Sequence, residues 1–239
     1  MIQNVYTELV EQTCKYLRYQ RELFGEELFI GDSEAFRRPH PSLHPETLDE
    51  LEKAIQNCQK CSLSKTRTHF VFGTGNADAN LMLIGEAPGK DEDRQGEPFV
   101  GKAGQLLDKI LIAIGFQRDE VYIGNVLKCR PPNNRDPLPE EIALCMPHLI
   151  KQLDVIQPKL ILALGRIAAQ ALLKTSASLT QLRSEALEFK GIPMMVTYHP
   201  AALLRNPHWK IPVWEDVQKL RKTYDEIVGD KPEWQPPKK

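Results

Sequence analysis

The chain has 239 residues, 41% hydrophobic and 26% charged, with a formal net charge of −1. That balance suits one main soluble globular domain with a sizeable core, and it excludes a basic surface spread over the whole molecule, so any contact with nucleic acid has to rest on local patches. No apolar run approaches the roughly 20 residues of a membrane span, and Met1-Ile-Gln-Asn-Val-Tyr6 lacks the basic and apolar regions of a secretion signal, which points to the cytoplasm.

Residues 2–28 carry Val5, Leu9, Val10, Tyr16, Leu17 and Leu23 among charges, the pattern of an amphipathic helix. Pro39, Pro41 and Pro45 break it, so residues 1–45 read as an N-terminal helical arm and linker. Thr47-x-x-Glu50 is a capping box that predicts a helix delivering Cys58. A short extended piece over 69–73 precedes the first central strand, 81–84. That strand runs into a long loop carrying Gly85, Gly89, Gly96, Gly101 and Gly104 with Pro88 and Pro98.

The periodic segment 102–114 predicts a helix that stops at Gly115. A second strand over 121–127 follows, then a loop over 129–135 and a helix opened by Pro139. The unbroken apolar run 159–164 is a buried strand, and 166–173 a helix. Phe189 and residues 194–198 give the last extended segments, and 214–228 the final helix. The catalytic domain is thus expected over 46–228, and the Pro- and Lys-containing tail 229–239 is expected to be disordered. Strands alternating with helices predict a three-layer α/β/α sandwich around a mostly parallel sheet.

Ligands in open α/β sheets bind beyond the carboxyl ends of the strands. The loop after the first strand places Glu86, Ala87, Asp91, Glu92, Asp93 and Phe99 there, and His199, just past the last central strand, falls on the same rim. Neither G-x-x-x-x-G-K-[ST] nor G-x-G-x-x-G is present, and Glu86 would repel a phosphate, which argues against a nucleoside triphosphate. Each residue also has a plainer reading. His199 before Pro200 suits loop packing, and Phe99 a core anchor. Glu92 is either a second candidate acid or an exposed loop carboxylate. Asn125 is a poor strand former, so it is either a buried amide bonded to backbone or a reader with one donor and one acceptor. Asn134 is a further pocket candidate. Lys128, Arg130, Arg135, Arg205 and Lys210 are the basic candidates for phosphate contact, or simply a solvated face.

Five cysteines, an odd number, argue against a disulfide scaffold. Cys58-x2-Cys61 with Cys129 and Cys145 can hold a tetrahedral zinc or a [4Fe-4S] cluster, and spacing does not distinguish them. Cys14 is left over as a small buried thiol.

Taken whole, Gly85-Glu-Ala-Pro-Gly-x-x-Glu-Asp-x-x-Gly-x-Pro-Phe-Val-Gly-x-Ala-Gly104 resembles the first motif of the iron-sulfur uracil-DNA glycosylases, known as family 4. His199-Pro-Ala-Ala-Leu-Leu-Arg205-Asn-Pro207 resembles the second conserved motif of uracil-DNA glycosylases. The resemblance implies a four-stranded sheet flanked by helices and a monomeric DNA-repair hydrolase that flips uracil out of DNA and cuts its N-glycosyl bond. Replication or repair proteins are candidate partners. It implies a [4Fe-4S] cluster on Cys58, Cys61, Cys129 and Cys145, with Cys14 taking no part.

By the same resemblance His199 donates to uracil O2, Asn125 recognises the base, Phe99 stacks on it, and Gly85, Glu86 and Ala87 line the pocket. Glu86 holds the water or supports the oxocarbenium ion, and Glu92 is placed to exclude the 5-methyl of thymine. Leu204 fills the gap in the minor groove and Arg205 meets phosphate. Ala87 stands where the best-known uracil-DNA glycosylases have an Asp, which shifts the weight from general-base catalysis to anion stabilisation. The related group that links covalently to DNA carries a His in an inserted Arg-rich loop; the short segment 129–139 has none. The alternatives are an inactive glycosylase-like iron-sulfur protein that binds DNA or a polymerase, and a zinc-stabilised nucleotide-binding protein.

Overall fold

The computed structural model describes residues 47–236; the expected arm, Cys14 and the last three residues lie outside them. Thr47 caps α1 (Leu48–Ile55) through the reciprocal pair expected of a capping box, its hydroxyl accepting from the Glu50 amide. Among the described residues one sheet holds six strands: β1 (Thr74–Gly75), β2 (Leu81–Gly85), β3 (Tyr122–Asn125), β4 (Leu160–Leu164), β5 (Leu187–Phe189) and β6 (Ile192–Thr197). Their order is β1-β3-β2-β4-β6-β5. The inner pairs β3-β2, β2-β4 and β4-β6 run parallel, whereas β1 and β5 pair antiparallel at the edges. The sheet is therefore mixed and six-stranded rather than four-stranded. The edge strands have two and three residues, too few to leave a periodic signal in the sequence.

The helices are α2 (Lys90–Gln95), α3 (Lys102–Ala113), α4 (Pro139–Ile156), α5 (Arg166–Leu173), α6 (Leu179–Ser184), α7 (Pro200–Arg205) and α8 (Lys210–Ile227). Side chains of the inner strands alternate between two cores. Leu81, Leu83, Ile123, Leu160, Leu162 and Leu164 pack with Leu107 and Leu111 of α3 and Val217 and Leu220 of α8. Met82, Ile84, Tyr122, Ile161 and Ala163 pack on the other face with Leu149 and Leu153 of α4 and Ala168 and Leu172 of α5. Helices thus cover both faces, which is why β2 and β4 read as unbroken apolar runs. Each such Leu, Ile, Val or Met side chain taken from water contributes about 1.5–3 kcal/mol.

Three local expectations need correction. The stretch after β2 is not all loop: Gly89 and left-handed Gly96 bracket α2, whose acidic first turn suits the helix dipole. The last helix begins at Lys210 rather than Trp214, because Pro212 in the first turn lacks only a donor that would have no partner there. Residues 229–236, expected as a free tail, make packing contacts. Trp234 Nε1 donates to Ala113 O, Arg221 donates to Pro232 O, and Lys231 pairs with Glu120, tying the segment to α3 and α8. No described helix is long and apolar enough to cross a membrane.

Candidate active site

The carboxyl ends of β2 and β3 lie side by side, with Gly85 opposite Asn125. Two further bonds, Val126 N to Gly85 O and Leu127 N to Glu86 O, extend that pairing past the strands. A side chain at Gly85 would collide with both the Asn125 amide oxygen and the Phe99 ring, so glycine is what lets the two close over this point. Phe99 itself has a left-handed backbone, φ 54°. Its loop is held by Glu92, whose Oε1 accepts from the amides of Val100 and Gly101, each at 3.0 Å. Gly104 is required for the same turn, since a Cβ there would run into the Phe99 backbone.

Between these elements and α7 lies a cavity of about 330 Å³ whose lining includes Glu86, Ala87, Glu92, Phe99, Asn125, Asn134, His199 and Arg205. The Phe99 and His199 rings stack 5.3 Å apart with 27° between their planes.

His199 caps α7, and its Nδ1 accepts from the Ala201 amide at 3.1 Å. An amide can only donate, so in the neutral ring the proton sits on Nε2. Burial, with the charge of Arg205 adding to it, pushes this imidazole down to about 4. It is a neutral donor at working pH. The segment leading to it is anchored by Thr197 Oγ1 on Asp216 Oδ2, which also takes a two-pronged contact from Arg183.

Asn125 is 2% exposed and its Oδ1 has no hydrogen-bond partner among the described residues. A buried, unpaired amide oxygen is costly, and one that faces a cavity is relieved by a ligand donor. Burial raises Glu86 to about 7; Asp136 pushes in the same direction and Arg166 opposes it. The site therefore offers a fixed N–H donor, an unfilled acceptor, an aromatic ring and a carboxyl group poised near neutrality.

The family model for the uracil DNA glycosylase superfamily matches residues 72–220, which contain every one of these residues. A type-4 uracil-DNA glycosylase of Archaeoglobus fulgidus is 44% identical over 78% of this chain and 96% of that protein. Those of Sulfurisphaera tokodaii and Thermotoga maritima are 42% identical over 78% of the chain and 92% of the relative, and 40% identical over 74% and 94%.

The chain belongs to the uracil DNA glycosylase superfamily. Within it, the type-4 uracil-DNA glycosylases are the relatives it resembles over most of its length. On this glycosylase chain Leu203 is buried while Leu204 is 48% exposed, and Arg205, which follows it and lines the cavity, is exposed as well. Of the basic candidates, Lys128 is not on the surface at all. It is 0% exposed and cannot meet a phosphate. Arg135 makes a two-pronged pair with Glu141, and Arg130 bonds Asn134. Sequence reasoning missed Asp136 and Arg166, an exposed pair 3.5 Å apart whose only signal is their charge near Glu86.

Among the described residues the glycosylase chain has four free thiols, Cys58, Cys61, Cys129 and Cys145. Cys129 and Cys145 lie buried in one small apolar cluster with Leu63 and Leu127, and Cys61 packs against it. Three of the sulfurs meet nitrogen groups. Arg67 Nη1 donates to Cys129 Sγ at 3.1 Å, the Lys128 amide donates to Cys145 Sγ at 3.3 Å, and His148 Nε2 lies 3.2 Å from Cys58 Sγ. Among the described residues, no group of three or more His, Cys, Asp or Glu side chains is arranged to hold a metal ion.

Proposed function

We propose that this protein excises uracil from DNA by hydrolysing the bond between N1 of the base and C1′ of the sugar, leaving an abasic site. The observation that carries the reading is the unpaired Asn125 Oδ1, buried in the same cavity as the Nε2 donor of His199. Uracil presents N3–H and O4 to Asn125, whose oxygen accepts the first and whose NH₂ donates to the second. Cytosine presents the opposite pattern and would leave both atoms of the amide unsatisfied.

As the glycosidic bond breaks, its electron pair goes to the base and negative charge collects on O2, while the sugar becomes an oxocarbenium ion. His199 Nε2–H meets that charge. It is fixed in place before the reaction by the Ala201 amide on the other nitrogen, so no reorganisation is needed. Phe99 supplies the stacking face for the everted base. Glu86, when ionised, stabilises the oxocarbenium ion and takes a proton from the water that adds to C1′. We assign Glu92 to holding the Phe99 loop, on the strength of its two amide bonds, rather than to acid catalysis. Leu204 and Arg205 are assigned to the DNA, the first in the gap left by the base and the second on phosphate.

The four cysteines are assigned to a [4Fe-4S] cluster. The fit rests on four free thiols, two of them in one apolar cluster, with N–H groups directed at their sulfurs as thiolates require. Such a cluster takes one thiolate at each iron and so asks for a wider set than a single ion does. When bound it would tie the segment near residue 60 to the loop after β3 and to α4. The catalytic unit is placed at residues 46–228, with the arm dispensable for base excision.

Incubating the full chain with a uracil-containing oligonucleotide and then treating it with alkali should break the strand at the uracil. A cytosine-containing control should stay intact. No break at uracil would overturn the reading.

A further inference from the structure

The end of β3 hides a cation that the reaction described above does not use. Lys128 is completely buried, and its ammonium donates to the backbone carbonyl of Asn125 at 2.9 Å and to Gln152 Oε1 at 2.5 Å. Gln152 is in turn fixed by its own NH₂, which donates to Phe72 O and to Tyr122 Oη, both at 2.9 Å. Alternation along β3 puts these groups behind the sheet: Gly124 faces the ammonium, whereas the Asn125 side chain faces Gly85 and Phe99. Burying an ammonium is expensive, and an apolar side chain of the same length would fill the space at less cost. Packing alone therefore gives no reason for a lysine here.

We propose that Lys128 is a positioning residue for uracil recognition, which clamps the Asn125 peptide from behind so that its side-chain amide stays aimed into the cavity. The two ends of that peptide unit are then both held, since the Val126 amide is already bonded to Gly85 O on the neighbouring strand. Lys128 also ties this clamp to the thiols, because its own amide donates to Cys145 Sγ and Cys129 is the next residue. The inference rests on the reading of Asn125 as the group that contacts uracil.

The test uses the full chain with Lys128→Met, and Gln152→Leu as a second variant that frees the ammonium instead of removing it. Free uracil is measured as an inhibitor of excision, beside kcat, KM, iron content and binding to uracil-free DNA. Loss of one hydrogen-bonded support should weaken inhibition by uracil about tenfold in either variant. It should lower kcat more than it raises KM, with iron content and binding to uracil-free DNA unchanged. An inhibition constant equal to that of the wild type in the variant that folds would overturn the proposal. So would activity lost only in step with iron, because Lys128 would then serve the thiol site. If both variants fail to fold, the lysine is structural and the proposal falls. Absence of excision by the wild type would instead defeat the reading of the site.

Discussion

Asn125 Oδ1 lies against the α-carbon of Gly85, closer than any added methyl group would allow, and it is buried there without a hydrogen-bond partner among the described residues. The pair joins two strands that are adjacent in the sheet but about forty positions apart in the chain. Gly85→Ala should therefore push both the amide and the Phe99 ring out of line. We expect uracil excision to fall by about a hundredfold, since a 1 Å displacement of a positioned group has that effect. Retained activity above one tenth of the wild type would show that the pocket wall yields.

His199 gives the second prediction. Its donor acts on charge that exists only as the bond breaks, so His199→Ala should depress kcat by about 10²–10³ while binding to uracil-containing DNA changes little. A variant that loses affinity and keeps turnover would move His199 from the chemistry to substrate capture.

Much of this arrangement was legible in the sequence. Strands β2 and β4, buried on both faces, announce themselves as apolar runs, and Thr47 and Gly115 mark their helix ends. His199 and Phe99 were recognisable from two motifs, and Asn125 as a polar residue in an apolar strand. What escaped depends on pairings between distant parts of the chain. Lys128 resembles any surface lysine until Gln152, on α4, is seen to accept from it. Within residues 229–236, Trp234 reaches Ala113, a contact that proline content conceals. Glu92 and Asp93 part from exposed Asp91 only in the fold, where a Glu92 oxygen meets amides eight and nine positions away and an Asp93 oxygen meets those of Thr68 and His69.

The third prediction concerns pH. Glu86 is raised to about 7, so its ionised form, the one that assists, fills in as pH rises through that value. The rate should climb between about pH 6 and 8, and Glu86→Gln should flatten the climb at a lower plateau. Because His199 is lowered to about 4, it contributes no limb in that range. The sign for stability is opposite. A carboxyl whose folded value is raised favours the folded state below about 4.5 and loses that benefit as pH passes 7, so Glu86→Gln should raise Tm at pH 8 and leave it unchanged at pH 4. A wild-type profile with no inflection near 7 would remove Glu86 from the reaction.

The thiols give the fourth. Protein purified without oxygen should hold about four irons per chain and be brown. Cys145→Ser should lose the colour and lower Tm, because the cluster would join α4, on which Cys145 lies, to the loop after β3, where Cys129 lies beside Lys128. Stoichiometric zinc with no iron would overturn the assignment.

Removing residues 229–239 tests the packed end of the chain. The truncation takes away the Trp234–Ala113 bond, the Pro232 carbonyl that accepts from buried Arg221, the Asp230 carboxylate that accepts from Asn80 and Tyr224, and the Lys231 contact with Glu120. Arg221 would keep Asp225 and Ile114 O, so its guanidinium would not be stranded. Four lost hydrogen bonds at about 1 kcal/mol each, with the exposed face of Trp214 added, should lower Tm by about 8–16 °C. The cavity lies at the other end of the strands' path, beside α7, so excision measured well below Tm should stay within about twofold of the full chain. An unchanged Tm would show that the segment is held too weakly to matter, and a lost activity would place it in the path of the DNA.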